Sequence, residues 1–172
     1  MDNSCTWIPN LELYENFDGW DAYQEHIYQL FCNDFKYSNP YFEEKIVKIR
    51  FHPIEFNKEE AFFHVTCQDY NKDGERVPDF RRCERIRWIR KFIENYNCDL
   101  SKCNDCDGIK VWEEEVRNVY RTHILLEEEK YMVVLEKRKG YCLLITAFYF
   151  NNNHSLKKKI KKYYEYKARS AS

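Results

Sequence analysis

The sequence predicts an α+β fold, with a helix, a strand and a second helix followed by an antiparallel meander. Apolar residues recur at helical spacing over residues 18–35 and 80–95, whereas apolar and polar residues alternate through much of residues 109–150. Helices and strands grouped in separate blocks are typical of this class. The 172 residues, 44% of them hydrophobic and 33% charged, suit a single domain with a packed core and a charged surface.

Three helices are predicted from periodicity and from the residues that begin them. The first covers residues 18–35, the second covers residues 80–95, and a basic helix over residues 155–167 has Ser155 as its N-cap. Five apolar residues of the first helix fall on one face at helical spacing, and Asn16 or Asp18 is a candidate N-cap. That face comprises Trp20, Tyr23, Ile27, Leu30 and Phe31.

The strands comprise one before the second helix and four after it. Residues 45–52 alternate apolar and polar side chains, as expected of a strand with one buried face. Residues 61–67 are apolar and aromatic, and they fit either a strand or a short helix. Gly140 marks a hairpin turn between the last two strands of the meander. The meander is predicted over residues 109–113, 120–126, 131–138 and 141–150.

Charge is distributed unevenly along the chain. The 28 basic and 29 acidic residues give a net charge of −1, which by itself indicates no polyanion partner. Residues 1–44, predicted to form an acidic helical N-terminal extension, carry nine acidic residues and one lysine. Residues 76–91 and residues 155–169 each carry seven basic residues. The sequence therefore predicts two local basic regions to which an anionic ligand could bind.

Several classes of protein are excluded. No apolar run approaches the length of a membrane span, and the acidic N-terminus does not resemble a signal peptide, so we expect a cytoplasmic protein with no membrane partner. No Walker loop, GxGxxG, HExxH or GxSxG motif is present, and we expect neither a cofactor nor a metal. Cys98, Cys103 and Cys106 form a C-x4-C-x2-C pattern that fits a zinc site, a redox pair or plain loop thiols.

Arginine dominates the second predicted helix, where Arg81, Arg82 and Arg85 precede Trp88. Helical spacing places Arg81, Arg85 and Trp88 on one face and Arg87 on another. A guanidinium binds phosphate through two parallel donors, and it stabilises the charge of a phosphorane-like transition state. The alternative is a solvated helix face, although a merely soluble surface does not require arginine in preference to lysine.

His64 is the main candidate for proton transfer, because imidazole titrates near neutral pH. Its apolar neighbours also suit a structural histidine, and both interpretations stay open. Thr146 lies in the last predicted strand together with Tyr149, and its hydroxyl matters for chemistry only if that strand passes beneath a phosphate. The basic C-terminal segment could contact an RNA backbone through Lys157, Lys158, Lys159, Lys161 and Lys162.

Six segments form a combination that is more specific than any of them alone. They are Phe51–Pro53, Phe62–Thr66, Asp79–Trp88, Ile109–Trp112, Arg121–Ile124, and Tyr131–Arg138 followed by Tyr141–Phe148. In this order they resemble the phage-associated branch of the barnase–EndoU–colicin–RelE-like ribonucleases, which are found in mobile elements and toxin systems. The resemblance covers about residues 45–165. It implies N-terminal helices packed on an antiparallel sheet of four or more strands, and RNA cleavage without a metal.

The resemblance also implies a role for each candidate residue. The 2′-hydroxyl of RNA attacks the adjacent phosphate and leaves a 2′,3′-cyclic phosphate, with His64 as general base or acid. Thr146 binds a phosphate oxygen or orients His64. The scissile phosphate is bound by Arg81, Arg82 and Arg85, and the expected RNA contacts are Trp88, Tyr149, Lys157, Lys158 and Lys161.

On this hypothesis the chain is a toxin or phage-defence effector that cleaves RNA, and tRNA and mRNA are the candidate substrates. An antitoxin or immunity protein is the expected partner. Two alternatives stay open. The chain could be a catalytically inactive RNA- or protein-binding module on the same fold, because a fold does not determine a function. It could also be a phage-encoded protein that binds a host protein through residues 1–44.

Overall fold

The computed structural model describes residues 5–99 and 106–171. Its helices are α1 (Trp20–Phe35), α2 (Glu60–Thr66), α3 (Phe80–Glu84), α4 (Trp88–Glu94) and α5 (Asn153–Ser170). Its strands are β1 (Tyr41–Phe42), β2 (Lys45–Lys48), β3 (Cys67–Tyr70), β4 (Arg76–Pro78), β5 (Lys110–Val116), β6 (Val119–Leu126), β7 (Tyr131–Arg138) and β8 (Tyr141–Tyr149). The architecture is α+β, as predicted.

Six strands form one sheet in the order β1-β2-β8-β7-β6-β5, and β3 and β4 form a separate hairpin. Strands β5 to β8 are an antiparallel meander, as the sequence predicts. Strand β2, however, runs parallel to β8 through the pairs Val47–Cys142 and Lys48–Leu143. The sheet is therefore mixed, which corrects the expectation of a purely antiparallel sheet. The connection from β2 to β8 contains whole helices and strands, and a connection of that length permits parallel pairing, unlike a hairpin.

The sheet is covered on both faces. On one face, Ile124, Val133 and Leu135 pack with residues of α1, α2 and α4. On the other face, residues of β5 to β7 pack against α5. Burial of each large apolar side chain stabilises the fold by roughly 1.5–3 kcal/mol, so both helical layers are held firmly. The apolar cluster between the sheet and α5 comprises Trp112, Leu125, Met132, Val134, Phe150 and Leu156.

The acidic N-terminal region is packed into the main core. Helix α1 lies within the predicted range and buries Ile27 and Phe31 completely. The chain that precedes α1 contacts the arginine-rich region, where the indole N–H of Trp88 donates to the carbonyl of Pro9 at 3.0 Å. Residues 5–44 therefore support the region that carries the candidate arginines.

The predicted helix over residues 80–95 is divided into α3 and α4. Asp79 begins α3, because its Oδ1 accepts hydrogen bonds from the backbone N–H groups of Arg81 at 2.9 Å and Arg82 at 3.3 Å. Arg85 leaves the helical conformation, with φ −104° and ψ 19°. The resulting bend allows the apolar residues on both sides of it, Cys83 and Ile86 among them, to reach the core.

Three further segments differ from the expected bounds. Residues 60–66 are the helix α2, which decides between the two alternatives for this region. Strand β2 ends at Lys48, four residues before the predicted end. Helix α5 begins at Asn153, and its cap is Asn152 rather than Ser155, because Asn152 Oδ1 accepts from the backbone N–H of His154 at 2.7 Å. No helix within residues 5–99 and 106–171 is long and apolar enough to cross a bilayer.

Glu114 on β5 joins α5 to the sheet. Its carboxylate accepts hydrogen bonds from Lys159 Nζ at 3.0 Å, Lys162 Nζ at 2.6 Å and Trp112 Nε1 at 3.1 Å, and it lies 3.0 Å from His123 Nε2. Burial opposes the charged carboxylate, but the two lysines outweigh it and lower the pKa of Glu114 to about 2. Burial lowers the pKa of His123 to about 4. His123 is therefore neutral in the folded protein near neutral pH.

Acidification should destabilise the protein through His123. Its pKa is about 4 when folded and 6.5 when unfolded, so the unfolded chain binds more protons between these values. Through His123 alone the free energy of unfolding should fall by about 3 kcal/mol as the pH drops through that window. Burial raises the pKa of Asp34 to about 6, which opposes this fall, and Glu114 contributes only below pH 4.5. Urea unfolding between pH 7 and pH 5 measures the slope. His123→Phe should remove the contribution of His123 to this slope, whereas the exposed control His154→Asn should keep the wild-type slope; an unchanged slope in His123→Phe would contradict this assignment.

Candidate functional site

The last turn of α2 presents His64 at the surface. Its side chain is 42% exposed, and Nε2 lies 3.0 Å from Oε1 of Glu60, one helical turn earlier. Residues four apart on a helix lie on the same face, so this pairing follows from the sequence spacing. The carboxylate fixes the orientation of the imidazole, and the exposed ring remains accessible for proton transfer.

The backbone carbonyl of His64 is where three elements meet. Thr146 Oγ1 on β8 donates to this oxygen at 2.9 Å, and Arg82 Nη1 on α3 donates to it at 3.1 Å. Strand β2 pairs with β8 only as far as Leu143, and α2 packs against β8 beyond that point. Because the hydroxyl proton of Thr146 is already committed, this geometry favours the orienting role of Thr146 over donation to a phosphate.

Arg82 is held in place from several sides. Its Nε lies 3.5 Å from Oδ2 of Asp79, the residue that caps α3, and its guanidinium carbon lies 5.5 Å from the ring centre of Phe148. A guanidinium with a fixed plane loses little conformational freedom when it binds an oxyanion. The guanidinium of Arg82 is therefore held in a fixed orientation, which favours the binding of a phosphate.

His64, Thr146 and Arg82 line one cleft of about 300 Å³, which we call the His64 cleft. Arg76 of β4 also lines it, and the sequence analysis did not select this residue. The sequence signal for Arg76 is its position at the start of the basic segment 76–91, two residues after the Asn71–Gly74 turn. The other lining residues are Phe63, Cys67, Gln68, Asp69, Tyr70, Ile145 and Phe148. The cleft combines an imidazole with two guanidinium groups, which is suitable for an anionic ligand.

Arg85 and Trp88 lie beneath the surface. The Arg85 side chain is 8% exposed, and its Nη1 donates to the carbonyl of Arg81 at 3.0 Å and lies 3.4 Å from Glu84 Oε2. Burial lowers the pKa of Arg85. Trp88 is 2% exposed, so no face of its ring is available to a substrate and it is removed from the candidate site. Helical spacing correctly predicts that Arg85 and Trp88 lie on the same face, but that face is buried and not exposed to a substrate.

Tyr149 connects the arginines to a second surface feature. The guanidinium carbons of Arg85 and Arg81 lie 4.4 Å and 5.5 Å from its ring centre. Tyr149 also lines a groove of about 480 Å³, the lysine groove, together with Phe148 and Lys158. Phe148 lines the His64 cleft as well, so the two depressions adjoin. The remaining lining residues of the groove are Phe150, Asn151, Asn152, Ser155, Lys159 and Lys162.

The five lysines of α5 that the sequence analysis selects, between Lys157 and Lys162, divide into two groups. Lys159 and Lys162 bind Glu114 and hold the helix on the sheet. Lys157, Lys158 and Lys161 are exposed, and Lys161 lies 4.0 Å from Glu165 in a surface ion pair. Exposed pairs of this kind are weak, so these three lysines can exchange water or a carboxylate for a phosphate.

Comparison with known proteins finds no match. No protein-family model, curated protein or solved structure matches the chain. The ribonuclease resemblance therefore depends on the six sequence segments, and it is developed below as a proposal.

Two of the three cysteines of the C-x4-C-x2-C pattern lie within the described residues. Cys103 lies outside the described residues, Cys98 is buried, and Cys106 Sγ accepts a hydrogen bond from the backbone N–H of Gly108 at 3.3 Å. Across residues 5–99 and 106–171, no group of three His, Cys, Asp or Glu side chains is arranged around a common metal position. Burial raises the pKa of the thiols of Cys32, Cys67, Cys83 and Cys142, none of which is in a disulfide.

Proposed function

We propose that this chain is a metal-independent endoribonuclease that cleaves RNA by attack of the 2′-hydroxyl on the adjacent phosphate. The observation that carries the proposal is the His64 cleft, in which an exposed imidazole and the guanidinium groups of Arg76 and Arg82 line one depression. Imidazole supplies proton transfer, and guanidinium supplies charge stabilisation. The resemblance to the barnase–EndoU–colicin–RelE-like ribonucleases, with residues 45–165 forming the nuclease core, supports the same reaction.

In the proposed reaction, His64 removes the proton from the 2′-hydroxyl, and the resulting oxygen attacks phosphorus. The bond from phosphorus to the 5′-oxygen breaks, and the imidazolium of His64 returns a proton to that oxygen. The products are a 2′,3′-cyclic phosphate and a 5′-hydroxyl. Arg82 and Arg76 stabilise the additional negative charge of the transition state. Glu60 and Thr146 are positioning residues, because they act through the ring and the carbonyl of His64.

The lysine groove, which Lys158 lines, and the exposed lysines Lys157 and Lys161 of the same helix provide a path for the RNA strand away from the cleft. Replacing Lys157, Lys158 and Lys161 together with glutamine should weaken RNA binding at low salt and reduce the salt slope by about 2, since each single-strand phosphate contact contributes about 0.7. Cleavage at saturating protein should not change, because His64 and Arg82 are intact. The matched pair Lys159→Gln and Lys162→Gln should instead lower Tm, because these lysines bind Glu114. An unchanged salt slope in the triple variant would remove α5 from the RNA path.

We further propose that the enzyme acts in the cytoplasm on tRNA or mRNA as a toxin or phage-defence effector, with an antitoxin or immunity protein as its partner. The family resemblance supports this setting. The buried thiols of Cys32, Cys67, Cys83 and Cys142, which form no disulfide, are also consistent with a reducing compartment.

The proposal is tested by incubating the purified protein with total RNA in excess chelator, with His64→Ala in parallel. The wild type should cleave, and the new 3′ ends should carry a 2′,3′-cyclic phosphate. Binding of RNA without cleavage by the wild type would favour the inactive-module alternative. Cleavage that chelator abolishes would contradict the mechanism.

A further inference from the structure

A second cleft of about 530 Å³ adjoins the His64 cleft, and we call it the aromatic cleft. The two share Phe63, Cys67, Tyr70 and Arg76, so they are parts of one depression. Trp20 of α1 and Phe56 also line the second part. Aromatic side chains thus lie directly beside the cationic part that the proposed function uses.

Phe56 is an unusual residue for its position. The bonds between the backbones of Glu55 and Lys58, at 2.9 and 3.0 Å, close a two-residue turn around Phe56 and Asn57. Both central residues have left-handed backbone, with φ 51° and φ 61°. Asparagine or glycine is favoured there, and a bulky side chain is strained. Phe56 is also 84% exposed, so its ring contributes almost nothing to the core. A strained and exposed phenylalanine at the rim of a cleft indicates a contact with a ligand.

The aromatic cleft is held open by contacts that do not need a ligand. Glu55 Oε2 accepts from Arg76 Nε at 3.2 Å, which ties the Phe56 turn to the hairpin of β3 and β4. The Arg76 guanidinium carbon lies 5.0 Å from the ring centre of Phe63 and 4.8 Å from that of Tyr70. The walls are therefore positioned before a ligand arrives, which lowers the entropic cost of binding.

The charge of the aromatic cleft selects the kind of group that can enter. Three carboxylates, those of Asp21, Glu55 and Glu75, line it against a single cation, Arg76, whose Nε is ion-paired with Glu55. Carboxylates disfavour a phosphate, whereas aromatic rings bind an uncharged planar ring by stacking. The neighbouring His64 cleft has the opposite character, because two guanidinium groups and the imidazole of His64 line it against the single carboxylate of Asp69. A ligand that fits both parts has a planar ring next to a phosphate.

We infer that the aromatic cleft is the subsite for the nucleobase next to the scissile phosphate, with Phe56 as a stacking residue. This inference rests on the proposed function for the identity of the phosphate site. The aromatic cleft determines which nucleotide is bound, and the His64 cleft performs the chemistry.

Nucleoside 3′-monophosphates test the inference, because they carry a base and a phosphate but no bond to be cleaved. NMR titration of the wild type should show that at least one of them binds about tenfold more tightly than inorganic phosphate, the gain expected from stacking one base. Phe56→Asn should remove this gain, leave phosphate binding unchanged and raise Tm, because asparagine tolerates left-handed backbone. Phe56→Trp should retain the gain, as should the control Tyr37→Asn, which changes another aromatic residue that is 70% exposed.

The outcomes separate this inference from the proposed function. If no nucleotide binds more tightly than phosphate, or if Phe56→Asn retains the gain, the subsite is wrong even when the wild type cleaves RNA. If the nucleotides bind through Phe56 and the wild type does not cleave RNA, the subsite is supported and the proposed catalysis is wrong.

Discussion

Replacing His64 with alanine should reduce the rate of RNA cleavage by roughly 100- to 10,000-fold, the usual contribution of a general acid–base group. RNA affinity should change little, because the backbone carbonyl of His64, which Thr146 and Arg82 bind, remains in place. Single-turnover cleavage of a defined RNA and a filter-binding assay measure the two quantities separately. Tm should stay close to that of the wild type, since the ring is partly exposed.

Two variants control the His64 result. His52→Ala removes an exposed histidine outside the His64 cleft and should cleave at the wild-type rate. Glu60→Gln keeps the size of the side chain that orients the imidazole and should cause an intermediate loss of cleavage rate. Full activity in His64→Ala would exclude His64 as the proton-transfer group.

Replacing Arg82 with lysine should reduce the cleavage rate by about 100- to 1,000-fold, comparable to the loss of one donor to a transition-state oxyanion. Lysine keeps the charge but loses the planar fork, in which Nη1 donates to the His64 carbonyl while the other donors stay fixed in the same plane for a phosphate. Arg87→Lys is the matched control, because Arg87 is exposed and bonds to Glu12 at 3.2 Å.

Arg85→Lys should act on stability rather than on chemistry. The buried guanidinium bonds to the carbonyl of Arg81 and packs on the rings of Tyr149 and Trp88, so its loss should lower Tm. This differs from the expectation that the sequence supports, in which Arg85 contacts the phosphate. If Arg85→Lys lost most of its cleavage activity at an unchanged Tm while Arg82→Lys stayed fully active, Arg85 rather than Arg82 would be the residue that contacts the phosphate.

Local pattern predicted most of the fold. The range of α1 and the four meander strands follow from apolar spacing, which is a property of each segment alone. Residues 61–67 were ambiguous because Phe62, Phe63 and Val65 are all buried, so neither helical nor strand periodicity is visible. The parallel pairing of β2 with β8 joins distant parts of the chain, and no local pattern specifies it.

The sequence predicts those residues of the candidate site that are recognisable from their functional groups alone. His64, Arg82 and Thr146 were selected for their functional groups, and the fold brings them to one cleft. Helical spacing could not show that the face shared by Arg85 and Trp88 is turned inward, because amphipathic phase alone does not locate the core.

Two residues of the site were missed because of their three-dimensional context. Arg76 reaches the His64 cleft through the hairpin register that places it opposite Tyr70. Phe56 is notable only for its exposure and its left-handed backbone, and neither property can be derived from its residue type.

The central claim, attack by the 2′-hydroxyl at the His64 cleft, is tested most directly with an RNA in which one 2′-hydroxyl at a mapped cleavage site is replaced by hydrogen. The substituted site should resist cleavage in the presence of chelator, while other sites in the same molecule are cut at their usual rate. Cleavage at the deoxy position would contradict the account, because no cyclic phosphate can form there.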